Sequence, residues 1–222
     1  MRAMILAAGR GERMRPLTDE TPKPLLEAGG KPLIVRQIER LRAAGFVELV
    51  VNLGWLGERI EQALGAGDRF GVSIRYSHEP PGALETAGGI RHALALLGDA
   101  PFLVCNGDVV CDFPLERLRA LEPAGLAHLV LVPNPAHHPE GDFALHDSRL
   151  ALAGRERYTY GGIGVFSPAM FEPLVPGVRP LRPVLEQAIA AGGVTGEVHR
   201  GEWMDIGTPE RLEALRARLE AE

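Results

Sequence analysis

The sequence predicts an α/β fold with a mostly parallel central sheet and helices on both faces, and three observations predict it. Short apolar runs alternate with segments of helical periodicity through the first half of the chain, the pattern of a doubly wound sheet. The first run, Met4 to Ala8, is apolar at every position, as expected of a strand buried on both faces. The 222 residues, 45% hydrophobic and 24% charged, contain no linker, low-complexity segment or internal repeat. They read as one domain, 1–222, with a first half to about residue 112 and a second from about 113.

Between Lys31 and Ala44, the apolar residues Leu33, Ile34, Ile38, Leu41 and Ala44 recur at helical spacing, and Gly45 follows as a stop. Glu48–Asn52 reads as a strand, Trp55–Leu64 as a helix closed by Gly65, and Val72–Tyr76 as a strand. A helix over Thr86–Leu97 and a strand over Phe102–Cys105 complete the alternation. The second half is less regular. Helices are expected at Leu115–Leu121, Pro168–Leu174, Leu181–Ala191 and Pro209–Leu219, where Thr208 and Pro209 supply an N-cap and a first-turn proline. Strands are expected at Leu126–Val132, Phe143–Leu145, Leu150–Leu152, Ile163–Phe166, Thr195–His199 and Trp203–Asp205. A loop rich in Pro, Asn and His spans Pro133 to Asp142.

Charge and cysteine content narrow the function. A formal net charge of −5 argues against a nucleic-acid binder, which needs a basic face. Only about six apolar residues precede Gly9, too few for a signal peptide, and no apolar run is long enough to span a membrane. Cys105 and Cys111, the only cysteines, suit neither a disulfide framework nor a Cys-x-x-Cys metal site, so reduced thiols in a cytoplasm are expected.

One stretch concentrates the chemistry. Gly9 and Gly11 end the first strand at once, so backbone N–H groups can approach a ligand. Arg10, Arg13, Arg15 and Lys23 place four cations within 14 positions, and Pro22 and Pro24 stiffen the backbone around Lys23. A local basic cluster in an acidic chain suits a small anion such as a phosphate. The dinucleotide fingerprint would need glycine at Met14, and a P-loop would need Gly-Lys-Ser/Thr, which is absent. Two more motifs end apolar strands in carboxylates: Leu103-Val-Cys-Asn-Gly-Asp108, and Arg200-Gly-Glu-Trp203-Met-Asp205-Ile-Gly207-Thr208. Asp108 and Asp205 stand 97 positions apart, yet each follows a strand and both can converge on the ligand edge of one sheet.

The string Leu-x-x-Gly-x-Gly-x-Arg-Met-x-Pro-x-Thr followed by Pro-Lys-Pro-Leu resembles the signature of sugar-1-phosphate nucleotidyltransferases. The resemblance implies a single-domain Rossmann-like, GT-A-like fold, a nucleoside triphosphate and a sugar 1-phosphate as partners, and Mg²⁺ as cofactor. It also implies roles for residues. Lys23, Arg15 and Asp108 are expected to be catalytic, and Asp108 and Asp205 to hold the metal. Leu6, Ala8, Gly9, Gly11, Met14, Arg15, Lys23, Gly82, Glu85, Thr86 and Gly88 are expected around the nucleotide, although a plain helix start explains Thr86 nearly as well. Asn106, His138, Asp142, Gly162 and Arg200 are expected around the sugar phosphate.

A narrower resemblance, carried by Asn52, Trp55-Leu-Gly57, Leu84-Glu-Thr86, Asn134-Pro-x-His137-His138-Pro139, Gly141-Asp142-Phe143 and Arg200-Gly-x-Trp203, is to the N-acetylmuramate 1-phosphate uridylyltransferases of bacterial peptidoglycan recycling. It implies UTP and an amino-sugar 1-phosphate as substrates, in a cytoplasmic monomer or small homo-oligomer without nucleic-acid or membrane partners. Larger relatives often carry a C-terminal β-helix, and none is expected here. Ala87 and Gly162 depart from this group, where glycine and serine are expected, and the Glu-Lys-Pro motif of many thymidylyltransferases is missing, which makes Arg200 the substitute phosphate cation. Two alternatives share the N-terminal signature: a mannose-1-phosphate guanylyltransferase, and a non-catalytic nucleotide-sensing subunit, against which an intact Lys23, Asp108 and Asp205 argue. His137 and His138 either line the sugar pocket or lie in a solvated turn; Trp55 and Trp203 read as packing residues.

Overall fold

The computed structural model describes residues 1–82 and 84–221. The first half contains β1 (Ala3–Leu6), β2 (Glu27–Ala28), β3 (Lys31–Pro32), α1 (Leu33–Ala43), β4 (Glu48–Leu53), α2 (Gly57–Leu64), β5 (Ser73–His78), α3 (Glu85–Leu97), β6 (Phe102–Asn106) and β7 (Val109–Cys111). The second contains β8 (Ala127–Val132), β9 (Phe143–His146), β10 (Arg149–Ala151), β11 (Arg157–Phe166), α4 (Leu181–Ala190), β12 (Val194–Val198), β13 (Trp203–Asp205) and α5 (Pro209–Glu220).

Nine strands form one sheet in the order β5-β4-β1-β6-β11-β8-β12-β10-β9. β5, β4, β1 and β6 are mutually parallel, and β12 is parallel to β8. Through the sheet only β11 and β10 run against the other strands, so the mostly parallel expectation holds with two reversals in the second half. Helices cover both faces. α1 and α2 bury Ile34, Ile38, Leu41, Ile60 and Leu64 on one. α3 and α4 bury Ile90, Leu97, Leu185 and Ile189 on the other, where Phe102, Phe166 and Phe171 are fully buried. Burying each such side chain stabilises the fold by about 1.5–3 kcal/mol.

A third, smaller core joins the ends of the chain: α5 packs Leu212 and Leu215 against Met14, Leu26, Leu33 and Ile206. Its start is as expected, with the Thr208 hydroxyl accepting from the Arg211 N–H and Pro209 in the first turn. Two expected helices shrink to single 3₁₀ turns, Leu115–Leu118 and Pro168–Met170. Pro173 limits the second, because the residue before a proline avoids the helical region.

β1, β4, β5 and β6 end on the same side of the sheet, at Leu6, Leu53, His78 and Asn106. In open α/β sheets that carboxyl edge is where ligands bind. β11 pairs Ile163 with Cys105 and then continues back to Arg157, beyond the end of β6 on that same side.

Candidate active site

The loop after β1 is held open by neighbours on β4 and beyond it. The Ala7 N–H donates to Asn52 Oδ1 at 2.8 Å, and the Trp55 N–H donates to the Ala8 carbonyl at 3.2 Å. Trp55 Nε1 donates to the Thr18 carbonyl at 3.0 Å, and the Thr18 hydroxyl donates to the Gly11 carbonyl at 2.9 Å. The Arg10 guanidinium lies 3.9 Å over the Trp55 ring. Trp55 is therefore the packing post of this loop. Gly11 has φ +68°, and a Cβ there would stand 3.0 Å from Thr18 and 3.1 Å from Lys23, so only glycine fits the turn without strain.

The three carboxylate and cation motifs converge beside it. Lys23 forms an ion pair with Asp108, with the two side chains 14% and 27% exposed. β13 pairs antiparallel with β7, setting Asp205 opposite Val109, and the Ile206 N–H donates to the Asp108 carbonyl at 2.8 Å. Both aspartates thus sit at one end of a two-stranded ribbon. Asp205 is bound by Arg211 from α5, and His137 Nε2 lies 3.2 Å from Asp205 Oδ1. The turn carrying Asp108 is fixed from below by Gln37 of α1, only 3% exposed, whose Nε2 donates to the Asn106 carbonyl at 2.9 Å and the Val109 carbonyl at 2.6 Å.

These elements enclose a cleft of about 570 Å³ at the carboxyl edge. Leu6, Ala8, Gly9, Gly11, Met14, Lys23, Glu85, Thr86, Asn106 and Asp108, all named above from the resemblance, line it together with Arg13, Asn52, Glu79 and Gly207. Asn52 and Glu79 form its inner wall. Asn52 Nδ2 donates to Glu79 Oε1 at 2.7 Å, and Glu79 Oε2 accepts the Leu84 N–H at 3.2 Å. A Cβ on Gly89 would stand 2.5 Å from Glu79 Oε1, so α3 approaches this wall only through glycine.

Several expected site residues are elsewhere. Arg15 points out to solvent and pairs with Asp19 at 2.6 Å; Arg13, two positions earlier on the turn Glu12–Met14, lines the cleft instead. The Gly88 N–H donates to the Arg179 carbonyl at 3.1 Å, so α3 spends that group on the 177–179 loop rather than on a nucleotide. Gly82 is outside the lining. Asp142 is a staple of its own loop: its carboxylate accepts from Arg182 at 3.1 Å, the Tyr160 N–H at 2.9 Å and His138 Nε2 at 3.2 Å. Those contacts occupy His138 as well, and Arg157 donates to the Asp142 carbonyl at 2.7 Å. Gly162 abuts Asn106 where β11 bulges between Tyr160 and Ile163. Arg200 is exposed and donates to the Tyr158 hydroxyl at 3.3 Å, on the part of β11 that extends past β6. Gln37 and Arg211 belong to no motif of the sequence, whereas Arg13 is part of its basic cluster and His137 of its histidine loop. A lone amide in the apolar stripe of a helix is the signal that marks Gln37.

Among the described residues, neither a cysteine nor a tyrosine lines the cleft. Burial pushes the Cys105 thiol up to about 12 and raises the Tyr160 hydroxyl too. The arrangement offers a glycine loop, cations and paired carboxylates, the equipment for positioning phosphates rather than for covalent attack.

Comparison with known proteins agrees with this equipment. Residues 2–141 match the nucleotidyl transferase family model. The chain is 52% identical to the N-acetylmuramate alpha-1-phosphate uridylyltransferase of Neisseria meningitidis, over 98% of this chain and 97% of that one. It is 35% identical to the protein of the same name from Caulobacter vibrioides, over 98% and 96%. A solved Bacillus anthracis structure, assigned as a glucose-1-phosphate thymidylyltransferase and bound to sucrose, superposes with a TM-score of 0.87 at 22% identity, covering 100% of this chain and 96% of that one.

Proposed function

The chain belongs to the nucleotidyl transferase family, and from that premise we propose that it joins UTP to N-acetylmuramate 1-phosphate, forming UDP-N-acetylmuramate and pyrophosphate. The observation that carries this reading is the 52% identity, along nearly the whole of both chains, to a protein named for that reaction. The cleft supports it residue by residue.

The sugar phosphate brings its own anionic oxygen as nucleophile, so the protein needs no general base. Its work is to bring two polyanions together and to stabilise charge on the departing pyrophosphate. The Gly9–Gly11 backbone and Arg13 line the side suited to the triphosphate. Lys23, held against Asp108 by its ion pair and packed beside Gly11, serves the phosphate that receives the attack. Arg13 takes the role that the resemblance implies for Arg15. Glu85 and Thr86, beside the Asn52–Glu79 wall, face the base and ribose.

The donor set suits Mg²⁺: Asp108 and Asp205 are hard oxygen ligands brought to one end of a ribbon, each now neutralised by a cation, Lys23 or Arg211. Bound there, the ion would draw charge from the phosphate oxygens and fix their geometry. Among the described residues no helix is long and apolar enough to cross a membrane, and two unpaired, buried cysteines support a reducing cytoplasm. Pyrophosphate release measured across UTP, dTTP, GTP and ATP with several sugar 1-phosphates tests the proposal. Preference for GTP with mannose 1-phosphate would transfer it to the guanylyltransferase reading, and no turnover with any pair would leave a nucleotide-sensing role.

A further inference from the structure

A second cluster of ligating side chains lies at the far end of the ribbon that carries the two aspartates. Cys111 ends β7, Asp112 follows it, and His199 follows β12. The Cys111 sulfur, an Asp112 carboxylate oxygen and a His199 ring nitrogen all lie within 4.8 Å of one another. His199 Nε2 stands 2.5 Å from Asp112 Oδ1, and the Phe113 ring holds the imidazole edge-on at 5.4 Å.

Two neighbouring groups are placed to serve a metal-bound sulfur. The Phe113 N–H, two residues on, donates to the Cys111 sulfur at 3.4 Å, the outer hydrogen bond that metal-bound ligands commonly receive. Arg40 Nη2 donates to the Phe113 carbonyl at 2.7 Å, while its Nη1 is buried with no hydrogen-bond partner. A thiolate at Cys111 would give that orphaned donor an acceptor.

We propose that Cys111, Asp112 and His199 form a second metal site, distinct from the aspartate pair, for a borderline-soft divalent ion such as Zn²⁺. One sulfur, one nitrogen and one oxygen suit Zn²⁺ or Co²⁺, whereas Mg²⁺ prefers oxygen alone. Three protein ligands leave a fourth position for water, and the exposed Asp112 makes the ion exchangeable. The thiol proton leaves to solvent as the ion binds. Cys111 pairs with Trp203 in the register that sets Val109 against Asp205, and the Asp112 N–H donates to the Glu202 carbonyl at 3.1 Å. An ion there would therefore pin one end of the ribbon whose other end holds Asp108 and Asp205.

Cobalt titration of the full chain tests this without recourse to activity. Co²⁺ should bind one to one with a near-ultraviolet thiolate band, which Zn²⁺ displaces and excess Mg²⁺ does not. Cobalt at the aspartate pair gives no such band, so the two sites separate spectroscopically. Cys111→Ser should abolish the band, and His199→Gln should weaken binding at least tenfold, with circular dichroism confirming that both variants fold. No thiolate band in the unmodified protein, a band surviving Cys111→Ser, or unchanged cobalt affinity in His199→Gln would each overturn the site.

Discussion

Lys23 and Asp108 meet in an ion pair in the lining of the cleft although 85 positions separate them in the chain. The pair joins the two motifs that distinguish this loop from other phosphate-binding loops, and it makes them one functional unit. Lys23→Ala should lower turnover by at least about 100-fold, the scale of losing one positioned charge donor. Lys23→Arg should restore only part, since a planar fork does not reproduce a point charge. Because the partners touch, Lys23→Ala and Asp108→Asn should be strongly non-additive. Steady-state rates for the two single variants and the double variant check this. A trapped covalent nucleotidyl–enzyme adduct would contradict the positioning role.

Gln37 acts through Asp108 rather than on substrate. It is buried in α1 and satisfies two carbonyls of the turn that presents the carboxylate. Gln37→Leu keeps the volume but strands both acceptors, which should cost about 2–6 kcal/mol of stability, at roughly 1–3 kcal/mol per unpaired group. The turn should then relax, and turnover should fall more than the KM for UTP rises. Unfolding curves together with a separation of kcat from KM check this; an unchanged kcat in a destabilised protein would reduce Gln37 to a packing role.

What the sequence makes legible follows from how local each signal is. β1, β4 and β6 are apolar runs bounded by glycine or polar turns, and α5 has its Thr208 cap and Pro209, so these elements are readable in place. The insertion of β11 between β6 and β8 is a pairing across dozens of residues with no local mark. Side-chain direction is the other hidden quantity. The 3₁₀ turn Glu12–Met14 turns Arg13 inward and Arg15 outward, and the neighbouring His137 and His138 divide between Asp205 and Asp142. Spacing places such residues within a turn of one another; only packing decides which faces the ligand.

Removal of divalent ions tests the aspartate pair. EDTA should abolish pyrophosphate release and added Mg²⁺ restore it, since two carboxylates and substrate phosphates make a typical Mg²⁺ set. Asp205→Asn should lose most turnover yet remain folded, because its side chain is partly exposed at a polar edge. Near-normal Mg²⁺-dependent rates in that variant would remove Asp205 from the ligand set.

His128 predicts a pH dependence of stability. Burial between β8 and β12 holds its pKa below the usual 6.5, with Glu197 opposing and Arg117 adding to the shift. Between that lowered value and 6.5 the unfolded chain binds the proton and the folded chain does not, so stability rises with pH across the window and is lost on acidification. Urea unfolding at about pH 7.5 and about pH 5 should show the parent losing more stability on acidification than His128→Gln. Parallel losses in the two proteins would contradict it.

The sugar is decided by which cation remains available on the ligand side of the sheet. N-acetylmuramate differs from N-acetylglucosamine by a lactyl ether bearing a carboxylate, so selectivity needs a cation or several donors near that group. Arg157 is committed to the Asp142 carbonyl, and Arg182 and His138 to the Asp142 carboxylate. Arg200 is exposed and has its Nη2 on the Tyr158 hydroxyl, along the part of β11 that overhangs the end of β6. It is outside the lining of the cleft that holds Gly9, Gly11 and Lys23, which favours the lactyl carboxylate over the phosphate as its target. A charged hydrogen bond of this kind contributes roughly 1.5–3 kcal/mol, or about ten- to a hundredfold. Arg200→Ala should therefore cut kcat/KM for N-acetylmuramate 1-phosphate by that factor while leaving N-acetylglucosamine 1-phosphate nearly unchanged. An equal fall for both sugars would return Arg200 to the phosphate, and no fall for either would remove it from the site.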